Sequence, residues 1–250
     1  MFPLQLYSDS LTRPPVMEGV VDFLSDLGLS VEFRGDFFDF LSLGAGEMAE
    51  LESLLRRARV FDIERPVDFH GASASSEPFE KELYDAFWVQ RIFSRFFLGK
   101  HPGELAKNVF HAVITGRLLG TYGSRRYHAR VIISGFPSFI STSGLVEGPA
   151  RPREYYFLKA EFVRSGRDLA ELDEAFRGKF IDYGDERITK IAGMYVLQPL
   201  LYNFSGKEFC ENSKCTLFNS HWQKEVLDIQ YPGSLCAECG GEIEKIAKGQ

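Results

Sequence analysis

Cys210-Glu211-Asn212-Ser213-Lys214-Cys215 and, farther along, Cys236-Ala237-Glu238-Cys239 carry every cysteine of the 250-residue chain. Residues 216–235 join the two close pairs into one long loop. Four soft thiolates suit a single tetrahedral Zn²⁺ at about 2.3 Å, and a closed four-sulfur shell leaves no position open for substrate. Each short pair supplies two ligands from one turn, and the loop brings the pairs together. Three other readings compete. Two disulfides would need an oxidising compartment. The cysteines could be small buried hydrophobes, or Cys236 and Cys239 a redox pair at the start of a helix. The spacing and the absence of stray cysteines favour a structural zinc site.

The remaining composition is that of a globular protein, with 44% hydrophobic and 26% charged residues. A net charge of −6 and the lack of a basic stripe argue against nucleic-acid binding. The 23 phenylalanines are scattered and read as core. The start, Met1 to Asp9, lacks the basic and long apolar regions of a signal peptide. No run approaches the roughly 20 apolar residues of a membrane span. A cytoplasmic protein with reduced thiols is therefore expected, without membrane partners. That supports zinc over disulfides.

Leu4 to Tyr7 reads as a first strand, Val16 to Leu27 as an amphipathic helix closed by Gly28, and Leu29 to Phe33 as a second strand. Pro15 or its neighbour opens that helix. Strand, helix, strand is the opening of an α/β sheet. Arg34-Gly35-Asp36 is expected to be a strand-end turn, Met48 to Ala58 a helix, and Phe61 to Phe69 an extended segment. Gly71 to Ser76 is expected to be a surface loop and Glu77 to Phe97 a helix. Phe110 to Thr115 and Ala129 to Gly135 read as strands, and Phe139 to Ser143 as a continuation of the sheet. Glu154 to Val163 fits either a strand or the start of a helix. Asp185 to Phe204 reads as a long apolar helix capped by Asp185, kinked at Pro199 and closed by Gly206. No internal repeat or linker stands out. One domain over 1–250 is expected, with an N-terminal α/β subregion (1–105) and a second part (106–250) that holds the cysteine segment 210–239.

On the cysteine pattern, with Phe218-Asn219-Ser220 after the second cysteine, the C-terminal half resembles the archaemetzincins, a family of zinc metallopeptidases. Their signature is H-E-x-x-H-x-x-G-x-x-H followed by the four cysteines. In that family the histidines hold a catalytic zinc, the glutamate is the general base, and the cysteines hold a second zinc. The resemblance implies a metzincin-like mixed sheet with flanking helices, in an α/β (α+β) fold, and one structural zinc on Cys210, Cys215, Cys236 and Cys239. Val113-Ile114-Thr115 through Ser141-Thr142 is similar to the family's strands before the active-site helix. The chain is also similar to a group of archaeal proteins classed as metallopeptidases for the same kinship. Laid back from Cys210, the catalytic pattern retains Gly206, but Pro199, Asn203 and Phe209 stand at the histidine positions and Leu200 at the glutamate position. Proline and phenylalanine offer no metal ligand, and leucine cannot deprotonate water.

The five histidines, His70, His101, His111, His128 and His221, include no pair at i, i+4 spacing. A rebuilt site would draw on His128 and His221 with a carboxylate such as Glu147, Glu154 or Glu208, but no motif supports one. No G-x-S-x-G elbow or glycine-rich phosphate loop is present. Arg125, Arg126, Arg130, Arg151 and Arg153 form a local basic cluster suited to a peptide carboxylate or an acidic partner. Two functions are expected to compete: a peptide- or protein-binding pseudo-enzyme, and an active metal-dependent hydrolase with a rebuilt site near His128 and His221.

Overall fold

A computed structural model describes residues 3–9, 14–71, 82–105 and 109–249. The chain opens with β1 (Pro3–Ser8), α1 (Pro14–Asp26) and β2 (Ser30–Asp36), and Gly28 makes the turn between α1 and β2 with φ 78°. Next come α2 (Phe37–Leu41) and α3 (Ala45–Arg57), then β3 (Leu83–Asp85) and α4 (Ala86–Lys100). Strands β4 (Phe110–Thr115), β5 (Leu118–Gly123), β6 (Arg126–Arg130), β7 (Ile132–Ile133) and β8 (Ser138–Ser141) follow. The last part is helical: α5 (Thr142–Glu147), α6 (Arg153–Ser165), α7 (Leu169–Ala175), α8 (Arg187–Ser205), a short α9 (Gln223–Glu225) and α10 (Ala237–Lys248).

The described strands form two mixed sheets. The larger has the order β2-β1-β4-β8-β7, parallel except for the antiparallel edge strand β7. The smaller is β3-β5-β6, with β6 antiparallel to β5. Alternation along a strand sends successive side chains to opposite faces. On one face of the larger sheet, Leu4, Leu6, Ala112, Ile114 and Ile140 pack with α1 and α8 around Leu24, Val196, Leu197 and Leu200. On the other, Tyr7, Val113 and Phe139 join the aromatic residues Phe37, Phe93 and Phe97. With both faces covered, β4 reads as one continuous apolar run rather than an alternating one.

Several expectations shift. The segment Phe61 to Phe69 contains no strand; the hydroxyl of Tyr127 accepts from the Val67 amide at 3.0 Å, and the carbonyl of Ile63 takes the Tyr127 amide at 2.7 Å. Pro66 removes one donor that a ladder would need. The expected helix from Glu77 begins only at Ala86, because Asp85 caps it through Trp88 N at 3.0 Å and Leu83–Asp85 pairs with β5. Residues 77–81 of that expectation, and residues 72–76 of the expected loop, lie outside the described residues. Ala129 to Gly135 divides between β6 and β7, which belong to different sheets. Phe139 to Ser143 leaves the sheet at Ser141, whose hydroxyl accepts from Gly144 N at 2.8 Å and starts α5. Glu154 to Val163 lies within α6. The helix α8 runs on past Pro199 to Ser205, where Gly206 closes it with φ 72°. Arg34-Gly35-Asp36 forms no turn: β2 runs through all three residues, and Asp36 ends it by capping α2 through Phe38 N at 2.8 Å.

Candidate metal centre and cleft

The C-terminus of α8 delivers the first thiol. After Gly206 the chain turns back, and Cys210 N donates to Leu217 O at 2.9 Å. Cys215 sits in a tight turn, with its amide on Asn212 O and its carbonyl accepting from Phe218 N, each at 2.9 Å. Cys236 is the N-terminal flanking residue of α10, and Cys239 lies in that helix's first turn. Two turns and one helix start therefore bring the four sulfurs together, and they all lie within 4.8 Å of one another. The thiols are free, and Cys210 Sγ stands 3.7 Å from Cys236 Sγ. That is far beyond a disulfide bond of about 2.05 Å. It matches the edge of a tetrahedron with arms of about 2.3 Å, which is about 3.8 Å.

The electrostatics of the four thiols differ with position. A hydrogen bond from the Cys239 backbone holds the Cys236 thiol down to about 7. Burial pushes the Cys215 and Cys239 thiols up. The Cys236 amide donates to Cys215 Sγ at 3.5 Å. Three of the sulfurs are buried and only Cys236 is partly exposed. The donor set, the spacing and the enclosure fit one zinc ion held as a closed structural site.

Beside this centre, a cleft of about 160 Å³ opens between the β6–β7 corner, α8 and the segment 219–221. Its walls include Arg130, Ile132, Tyr195, Gln198, Phe209 and His221. Gln198 is only 4% exposed, yet neither its amide nitrogen nor its oxygen has a partner. The Ser220 hydroxyl is likewise buried and unpaired. Burial raises the Tyr195 phenol well above its ordinary value. The fixed geometry of His221 is backbone-borne: its amide donates to Glu225 Oε2 at 2.7 Å and its carbonyl accepts from Ala150 N at 2.8 Å.

Of the positions that match the catalytic signature, only Phe209 lines this cleft. Pro199 and Leu200 are buried in α8, and Asn203 is exposed. The other histidines are dispersed. His111 is buried between Tyr7 and the Glu104 carbonyl at 3.1 and 3.2 Å, and His128 bonds the Gly123 carbonyl at 3.0 Å. His101 bonds Phe40 O at 3.2 Å, and His70 lies against Trp88. Glu147 accepts from the Tyr183 hydroxyl at 3.0 Å, while Glu154 and Glu208 are exposed. Among the described residues, the four cysteines are the sole group of three or more His, Cys, Asp or Glu that could hold a metal. The arginine cluster disperses too: Arg151 is tied to Tyr155 and Asp173, and Arg153 lies over Trp222. Sequence reasoning missed Gln198 and Ser220. The available signal was a lone amide in the apolar run Met194 to Leu201.

These features define a mixed α/β protein closed at its C-terminus by a four-thiol centre. The chain belongs to the Probable metallopeptidase family (DUF6775), which matches residues 3–246. The metallopeptidase kinship expected from the cysteine pattern is thereby borne out. Two solved structures are similar. A zinc-dependent peptidase from Methanocorpusculum labreanum (strain Z) shares 13% identity over 96% of this chain and 99% of its own, with a TM-score of 0.48. Archaemetzincin from Methanopyrus kandleri shares 13% identity over 99% of this chain and 96% of its own, with a TM-score of 0.49. A search of curated proteins found no match.

Proposed function

We propose that this chain is a pseudo-enzyme of its metallopeptidase family, which holds one structural zinc on Cys210, Cys215, Cys236 and Cys239 and binds a peptide or protein segment in the cleft beside it. One observation carries this reading: the ligand and base positions of the family signature hold Pro199, Leu200, Asn203 and Phe209, and no second metal-binding group occurs among the described residues. A cleft of about 160 Å³ beside the four-thiol centre, walled by Ile132, Phe209 and His221 among others, supports the binding part of this reading. Four free thiols belong in a reducing compartment, so the proposed location is the cytoplasm. No helix among the described residues is long and apolar enough to cross a membrane.

Elemental analysis of protein purified under reducing conditions, together with hydrolysis assays on a fluorogenic peptide mixture, tests the proposal. One zinc per chain and no chelator-sensitive hydrolysis are expected. Two metals per chain with chelator-sensitive hydrolysis would replace it by the rebuilt hydrolase site.

A further inference from the structure

Helix α6 is anchored to the rest of the chain along one narrow side. Tyr155 and Phe162, seven residues apart, are buried and pack with Leu172, Phe176 and Phe180. At about 100° per residue, the opposite side carries Phe157, Ala160 and Arg164, flanked by Tyr156 and Val163. All five are exposed, Phe157 by 77% and Val163 by 63%. Single apolar residues on a surface need no partner, but this is a contiguous strip along a whole helix.

A pocket of about 390 Å³ opens at the start of the same helix, lined by Pro152, Arg153, Glu154, Trp222, Lys224 and Glu225. Its two cations are engaged: Arg153 lies over the Trp222 ring at 5.4 Å, and Lys224 is bonded to Asp228. Glu154, in the first turn of α6, and Arg164, in the last, are exposed and make no ion pair among the described residues. A strip with an acid at its start and a base at its end is complementary to itself when reversed, which is what a two-fold interface requires. Carboxylates at Glu154 and Glu161, on a chain of net charge −6, disfavour an anionic lipid surface instead.

We propose that α6 pairs antiparallel with α6 of a second copy of this chain, about a two-fold axis level with Lys159. Phe157 of each copy lies over Ala160 of the other, whose small side chain leaves room for the ring. Arg164 of each copy enters the other's pocket against Glu154, and Val163 lies against Trp222. The 13 residues of α6 make a strip about 20 Å long and about 10 Å wide, short of the roughly 800 Å² per partner of a standard interface, so the dimer is weak, with a micromolar dissociation constant. The pairing does not depend on what the cleft binds.

Sedimentation equilibrium of the full-length protein under reducing conditions, from about 2 to 300 μM, tests the pairing. A reversible monomer–dimer equilibrium is expected. Phe157→Glu, at an exposed position, should abolish it without lowering the melting temperature. Arg164→Glu should raise the dissociation constant at least tenfold, and adding Glu154→Arg to that variant should restore it to within threefold of the wild type. A monomer at every concentration would overturn the proposal, as would a dimer that tolerates Phe157→Glu. Failure of the double variant to recover would overturn the antiparallel docking. Flotation with vesicles of phosphatidylcholine and phosphatidylglycerol covers the other occupant: a monomer that binds them through Phe157 would replace the second copy by a membrane surface.

Discussion

The carbonyl oxygen of Arg130 lies so close to Gly144 that a Cβ on the glycine would come within 2.1 Å of it. No side chain at all fits there, so α5 packs directly on the backbone of β6 and holds the residue that lines the cleft. Gly144→Ala should therefore force the helix away from the strand. Overpacking of this kind costs about 1–3 kcal/mol. Denaturant unfolding should show a lower midpoint with an unchanged slope, and an unaltered midpoint would mean that the contact is not tight.

Metal removal should act on stability, since the four thiols cap the core that α8 and α10 share. The wild-type protein is expected to hold one zinc per chain. Cys236→Ser should lose it and unfold at a lower temperature, by on the order of 10 °C if about 3 kcal/mol is lost. Full metal content and unchanged melting in this variant would refute the four-sulfur site.

Gln223 and Gln198 should respond to substitution with opposite signs. Gln223 is fully buried and makes every bond it can use: its amide nitrogen donates to Leu145 O at 2.8 Å and Val146 O at 3.1 Å, and its oxygen accepts from Ile181 N at 3.1 Å. Gln223→Leu strands those backbone groups and should cost about 2–4 kcal/mol. Gln198→Met removes two orphaned atoms and should stabilise the protein by about 1 kcal/mol. Chemical denaturation of the two variants side by side checks both signs.

Acid should destabilise the fold through His111. Burial holds its imidazole below the usual histidine value, and its ring bonds the Tyr7 hydroxyl and the Glu104 carbonyl. The folded protein therefore keeps the ring neutral where the unfolded chain already binds a proton. Its stabilising effect is complete above about pH 6.5, the unfolded value, and is lost as pH falls toward the lower folded value. In His111→Gln the part of the stability profile just below about pH 6.5 should flatten. An equally steep profile in that variant would show that other groups dominate.

Much of the scaffold was readable because local physics favours it. The apolar periodicity of α1 and α8, the left-handed glycines Gly28 and Gly206, and the continuous apolar run of β4 each report on residues near in sequence. The elements that went astray depend on distant partners. Leu83–Asp85 becomes a strand only because β5 lies beside it, and Ala129 to Gly135 splits because its two halves join different sheets.

The sequence by itself determined the four-thiol motif, the metallopeptidase kinship and the replacement of the signature ligands at Pro199, Leu200, Asn203 and Phe209, since these are matters of residue type and spacing. Only the tertiary structure decided that the four sulfurs converge within 4.8 Å, that the histidines do not, and that Gln198 and Phe209, but not Pro199, Leu200 or Asn203, line the cleft. The physical reason is that spacing along a chain sets which atoms are available, whereas burial and pairing arise from elements far apart in sequence packing against one another.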